Sequence, residues 1–107
     1  MSSAPIWGVV ATVKAPAKDI LNFAAHHLDL GAHRVFIYFD EPNDAAFNAL
    51  KSHPKCRVTL TDAGYWKRRK GRPDTQQPRQ TANATHCYNR KPQVDWLAHI
   101  DVDEFLW

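Results

Sequence analysis

Trp96-Leu97-Ala98-His99-Ile100-Asp101-Val102-Asp103-Glu104-Phe105 is the stretch that decides how this chain reads. Its first half, Trp96 to Ile100, is a mostly apolar run of strand length. Its second half places Asp101 and Asp103 two positions apart. In an extended segment, residues i and i+2 point to the same side, so both carboxylates leave the strand's C-terminal end in one direction. Such a pair can share a hard divalent cation, Mg²⁺ or Mn²⁺, which keeps further positions for phosphate oxygens. Open α/β sheets bind their ligands beyond the carboxyl ends of the strands. A solvated acidic turn is the plainer alternative. Carboxylates flanked by apolar segments, however, need compensation, which a cation or an arginine supplies.

Upstream of this stretch, elements alternate. Ile6 to Val13 is apolar and rich in β-branched residues, as expected of a strand buried on both faces. Pro16 suits a first helical turn. Leu21, Ala24, Ala25 and Leu28 then recur at i, i+3, i+4 and i+7, and Gly31 is a natural stop. Val35 to Phe39 is a second buried strand. Asn43 or Asp44 caps a short helix over Ala45 to Ser52, with Phe47 and Leu50 inward and Pro54 ending it. Arg57 to Thr61 is a third, more polar strand. Ala63 to Pro78 reads as a long exposed loop, and Pro78 opens a helix over Arg79 to Asn89. This order predicts an α/β fold, with a parallel sheet and right-handed crossovers.

Length and composition set outer bounds. The 107 residues suit a single domain, and an apolar fraction of 44% with 23% charged residues excludes a disordered or fibrous chain. A net charge of +3 suits an anionic ligand such as a nucleoside diphosphate without demanding nucleic acid. Cys56 and Cys87 form no paired framework, so reduced thiols and a cytoplasmic location are expected. No run is long and apolar enough to span a bilayer, and Met1 to Pro5 lacks the features of a signal peptide. Phe105-Leu106-Trp107 directly follows the acidic cluster, which leads us to expect a piece of a longer protein.

Other constellations are weaker. His26 and His27 are helix neighbours and face about 100° apart, so one is expected packed against the sheet and the other partly exposed. His53, Cys56, His86 and Cys87 fit no zinc spacing. Lys67 to Arg72 holds five basic residues in six positions, preceded by Tyr65 and Trp66. A solvated loop, contact with an anionic acceptor or lipid surface, and nucleic-acid binding are all open for it. Arg79 can reach phosphates from the N-terminal turn of its helix, where the helix dipole favours anions. No nucleophile elbow, P-loop or dinucleotide fingerprint occurs, which removes the common hydrolase, kinase and dehydrogenase readings.

Taken together, the motifs resemble the family-2-like glycosyltransferases. Trp96 to Phe105 is similar to their WxxxxDxDEF signature. Phe23 to Gly31 resembles their W-x-x-H-H-x-x-x-G segment, with Phe23 in place of Trp. Arg79-Gln80, Ala84 and Cys87 resemble their R-Q-x-x-x-A-x-x-C helix. The resemblance implies a three-layer α/β/α, Rossmann-like, mostly parallel sheet, the first half of a GT-A fold, with strand order 3-2-1-4. It implies that Asp101 and Asp103 hold Mn²⁺ or Mg²⁺ against a diphosphate, that Asp40 contacts the nucleoside, and that Lys14 stands where a K-N-E motif begins. Ala15 and Pro16 depart from that motif and remove two polar groups near the nucleotide.

The expected function is transfer of a sugar from a nucleotide-sugar donor to a saccharide, lipid or protein acceptor, with nucleic acid not among the expected partners. The resemblance places the acceptor site and catalytic base in a second half, so residues 1–107 alone are expected to be inactive and only marginally stable. The alternative is a non-catalytic module binding a nucleotide-sugar or nucleic acid.

Overall fold

A computed structural model describes residues 6–68, 71–74, 76–90 and 94–101. Asp103, the Glu104 to Trp107 tail, and Arg69 and Lys70 of the basic run lie outside the described residues. The elements are β1 (Trp7–Val13), α1 (Ala17–Leu30), β2 (Arg34–Phe39), α2 (Asp44–Lys51), β3 (Cys56–Leu60), α3 (Ala63–Lys67), α4 (Gln76–Asn89) and β4 (Trp96–His99). The four strands form one sheet in the order β3-β2-β1-β4, with every pairing parallel. Fold class and strand order are therefore as expected.

Strand alternation sorts side chains between two cores. Val9, Ala11 and Val13 of β1 and Val35, Ile37 and Phe39 of β2 face one side, where α1 and α2 cover them. Val10 and Tyr38 face the other, against Tyr65 and Trp66 of α3 and Cys87 of α4. This makes three layers. It also puts Cys56 and Cys87 in different cores, and both are free thiols. Gly8 is needed where β1 meets β2, because a Cβ there would stand 2.9 Å from the Arg34 carbonyl oxygen.

Three expectations need correction. The buried stripe of α1 is Ile20, Phe23, Ala24 and His27, while Ala25 is exposed. Both stripes obey the same spacing; Ile20 and Leu21 are isomers, but Phe23 removes far more apolar area from water than Ala25 would. The segment after β3 is not a long exposed loop. Asp62 caps α3 by accepting from Tyr65 N at 2.9 Å, and Tyr65 and Trp66 are buried. Two aromatic side chains outweigh their basic neighbours here. Finally, α4 starts at Gln76, so Pro78 lies in its first turn and does not open it.

Smaller differences concern α2, which ends at Lys51 with Ser52 as its cap, ahead of Pro54, and which buries Ala46 and Leu50 with Phe47 only partly covered. Asn43 is its N-cap, accepting from Ala46 N at 3.2 Å. Of the histidine pair, His27 is fully buried and its Nδ1–H donates to the Phe23 carbonyl at 2.8 Å, while His26 is partly exposed.

Candidate functional site at the carboxyl edge of the sheet

Parallel pairing brings all four strand ends to one edge. β1 leads into Lys14, β2 into Asp40, β3 into Thr61 and Asp62, and β4 through Ile100 to Asp101. Backbone bonds extend the ladder past the strands: Asp40 N donates to Val13 O at 2.9 Å, Thr61 N to Phe39 O at 3.2 Å, and Ile100 N to Val10 O at 3.1 Å. Strand order reverses at β1, with β2 on one side and β4 on the other. In open α/β sheets that reversal leaves the crevice in which ligands bind.

Asp40 is the buried charge of this edge. Its side chain has no solvent exposure. Two arginines converge on Oδ1: Arg72 Nη2 donates at 3.1 Å, and Arg79 Nε lies 3.0 Å away with its N–H poorly aligned. Arg79 is itself buried, and its Nη1 donates to the Pro73 carbonyl at 2.9 Å. Oδ2 of Asp40 is buried and accepts no hydrogen bond from the described residues. An orphaned buried acceptor is costly, and this one is closed to solvent.

Arg72 reaches Asp40 because the chain reverses at Gly71. Gly71 has φ 101°, a region that side chains with a Cβ rarely adopt, and its N–H donates to Trp66 O at 2.8 Å. Beside the reversal lies an open hollow of about 670 Å³ lined by Thr61, Asp62, Ala63, Trp66, Lys67, Gly71 and Arg72. Trp66 is buried, and its Nε1–H has no acceptor among the described residues. The hollow is lined by the cations Lys67 and Arg72 and the acidic Asp62, and Arg72 joins it to Asp40.

At the β4 end, Asp101 is exposed, and Gln80 Nε2 donates to its Oδ1 at 3.2 Å. Arg79 and Gln80 are adjacent in α4, so one helical turn touches both Asp40 and Asp101. Lys14 pairs with Glu41 at 3.3 Å, both side chains more than half exposed. Such a pair adds about 0–1 kcal/mol.

Of the residues singled out by sequence, the structure therefore joins Asp40 to Arg79 and sets Asp101 beside Gln80. Lys14 stands at the same edge with a different partner, and Asp103 lies outside the described residues. Sequence reading missed Arg72 as a partner of Asp40, having treated it as one cation of a basic run. It also missed Thr12, Tyr65 and Asn83, described below. The only signal at Thr12 and Asn83 was polar character at positions that the periodicity of β1 and α4 would bury, and Tyr65 read as part of the loop that precedes the basic run.

Compared with known families, residues 10–107 match the family described as Glycosyltransferase family 92. The chain belongs to glycosyltransferase family 92. The motifs had pointed to family-2-like transferases; the family found is 92, and the broader expectation of a glycosyltransferase holds. Comparison of this family 92 chain with curated proteins and with solved structures returned no match. Among its described residues no helix is long and apolar enough to cross a membrane.

Proposed function

We propose that the carboxyl edge binds a nucleotide-sugar donor, with the nucleoside at Asp40 and the diphosphate at Asp101 and Asp103. The observation that carries this reading is the buried Oδ2 of Asp40, unpartnered among the described residues, at the strand end of a glycosyltransferase-family chain. With Oδ1 already facing Arg72 and Arg79, Oδ2 can only accept, and so selects a ligand N–H or O–H. The two arginines keep the carboxylate aimed and compensate its burial.

Asp101 and Asp103 supply hard oxygen donors, which fits Mn²⁺ or Mg²⁺. Gln80 orients Asp101 by donating to its Oδ1 at 3.2 Å. A cation held there would act as a Lewis acid that offsets charge on the departing diphosphate. Arg72 is turned toward Asp40, and among the described residues of the basic run Lys67 and Arg68 remain exposed. We assign these to an anionic acceptor or to solvent.

The experiment is calorimetric titration of UDP and GDP in Mn²⁺ and in chelator, on the parent chain, Asp40→Asn and Asp101→Asn. One nucleotide should bind, with affinity lost in chelator and in both variants. Equal binding with and without Mn²⁺ would remove the metal from the reading. Unchanged binding by Asp40→Asn would remove the nucleoside contact.

A further inference from the structure

The buried stripe of α4 is unusual. Arg79, Asn83 and Cys87 recur at i, i+4 and i+8, and the first two are polar. Asn83 is fully buried, and both ends of its amide are used: Nδ2 donates to Thr12 Oγ1 of β1 at 2.9 Å, and Oδ1 accepts from Tyr65 Oη of α3 at 2.6 Å. One turn further on, Tyr38 Oη and His86 Nδ1 share a hydrogen bond at 2.7 Å. Apolar stripes pack in several neighbouring settings. A buried amide with two directional partners tolerates one, since sliding or turning the helix leaves it unsatisfied.

We propose that Asn83 is a positioning residue for the donor site. It is one helical turn from Arg79, on the same side of α4. Its bond to Thr12 holds α4 across the end of β1, midway between the β2 and β4 ends. At that setting Arg79 reaches Asp40 and Gln80 reaches Asp101. Its bond to Tyr65 fixes α3, whose next residue, Trp66, lines the hollow. Thr12, Asn83 and Tyr65 are not themselves proposed donor contacts; they set where those contacts stand. The part concerning the donor rests on the function proposed above, while the part concerning Arg79 does not.

The test uses the Arg79 Nε–H signal in ¹⁵N spectra, assigned by Arg79→Lys, together with UDP–Mn²⁺ affinity. Thr12→Val keeps the side chain's shape and removes the acceptor. It should speed exchange of the Arg79 Nε–H with water and weaken UDP–Mn²⁺ binding, each by about tenfold, the scale of one lost hydrogen bond. Thr12→Ser restores the hydroxyl and should return both to the parent values. Asn83→Ala should act in the same direction; if it does not fold, the Thr12 pair decides alone. A Thr12→Val protein that melts lower, yet leaves the Arg79 signal and UDP affinity unchanged, would show that Asn83 serves stability only and overturn the proposal. If the parent chain binds neither UDP nor GDP, the donor reading fails, and the Arg79 signal still decides the positioning role; if GDP is the one bound, it replaces UDP in the affinity arm.

Discussion

Arg79 Nε stands 3.0 Å from Asp40 Oδ1, and both side chains are almost entirely removed from solvent. By sequence the two residues have separate tasks, one at the nucleoside and one at the phosphates. Their pairing makes each a condition for the other, since a buried charge without its partner is costly.

Arg79→Met should therefore lower unfolding stability by about 3–5 kcal/mol, the cost of stranding one member of a buried pair. Arg72→Met should cost about 0–1 kcal/mol, because the Arg72 side chain is 46% exposed and screened by water. Urea titration of the two variants checks this. Equal losses would mean that the two arginines share the charge of Asp40 evenly.

Acid should weaken the fold through His27. Burial lowers its pKa below the usual 6.5, the bond to the Phe23 carbonyl opposes this, and the neighbouring His26 adds to the lowering. The unfolded chain then binds more protons than the native one between the lowered pKa and 6.5. Its neutral form contributes stability that is present above 6.5 and lost as pH falls through the folded value. Melting temperature should fall as pH is lowered from 7 to about 5, and His27→Gln should flatten that slope. An unchanged slope in His27→Gln would assign the acid sensitivity to other groups.

Gly8→Ala should destabilise by about 1–3 kcal/mol, the usual cost of overpacking. The added Cβ would meet the Arg34 carbonyl oxygen at 2.9 Å, and that oxygen belongs to the backbone of β2, which cannot swing aside. Thermal melting measures the loss, and Gly71→Ala supplies a contrast. At Gly71 a Cβ meets nothing within 4 Å, so strain comes from φ alone. That variant should cost about 1 kcal/mol while freeing Arg72 from Asp40.

Both thiols should resist alkylation in the native protein. Burial pushes Cys87 up to about 11, against smaller opposing effects of the Tyr38 hydroxyl and Arg90, and burial also raises Cys56. Thiolate, the reactive form, is then scarce near neutral pH. Iodoacetamide with mass spectrometry should find both cysteines unmodified until denaturant is added. Rapid native labelling at Cys87 would indicate that α4 opens from the sheet.

Sequence by itself determined the strands, their order of occurrence and the acidic strand end. Apolar β-branched runs such as Val9 to Val13 and Val35 to Phe39 report burial on two faces through local composition, and their alternation with helices restricts the sheet to parallel crossovers. Family motifs in Phe23 to Gly31, Arg79-Gln80 and Trp96 to Phe105 are likewise local. What only the tertiary structure decided is which polar groups meet. Asn83 and Thr12 are 71 positions apart and Arg72 and Asp40 are 32 apart, and no periodicity connects them. The phase of α1 and the burial of Tyr65 and Trp66 were equally out of reach. Spacing names a helix face only up to rotation, and which face is buried depends on the volume its neighbours leave to be filled.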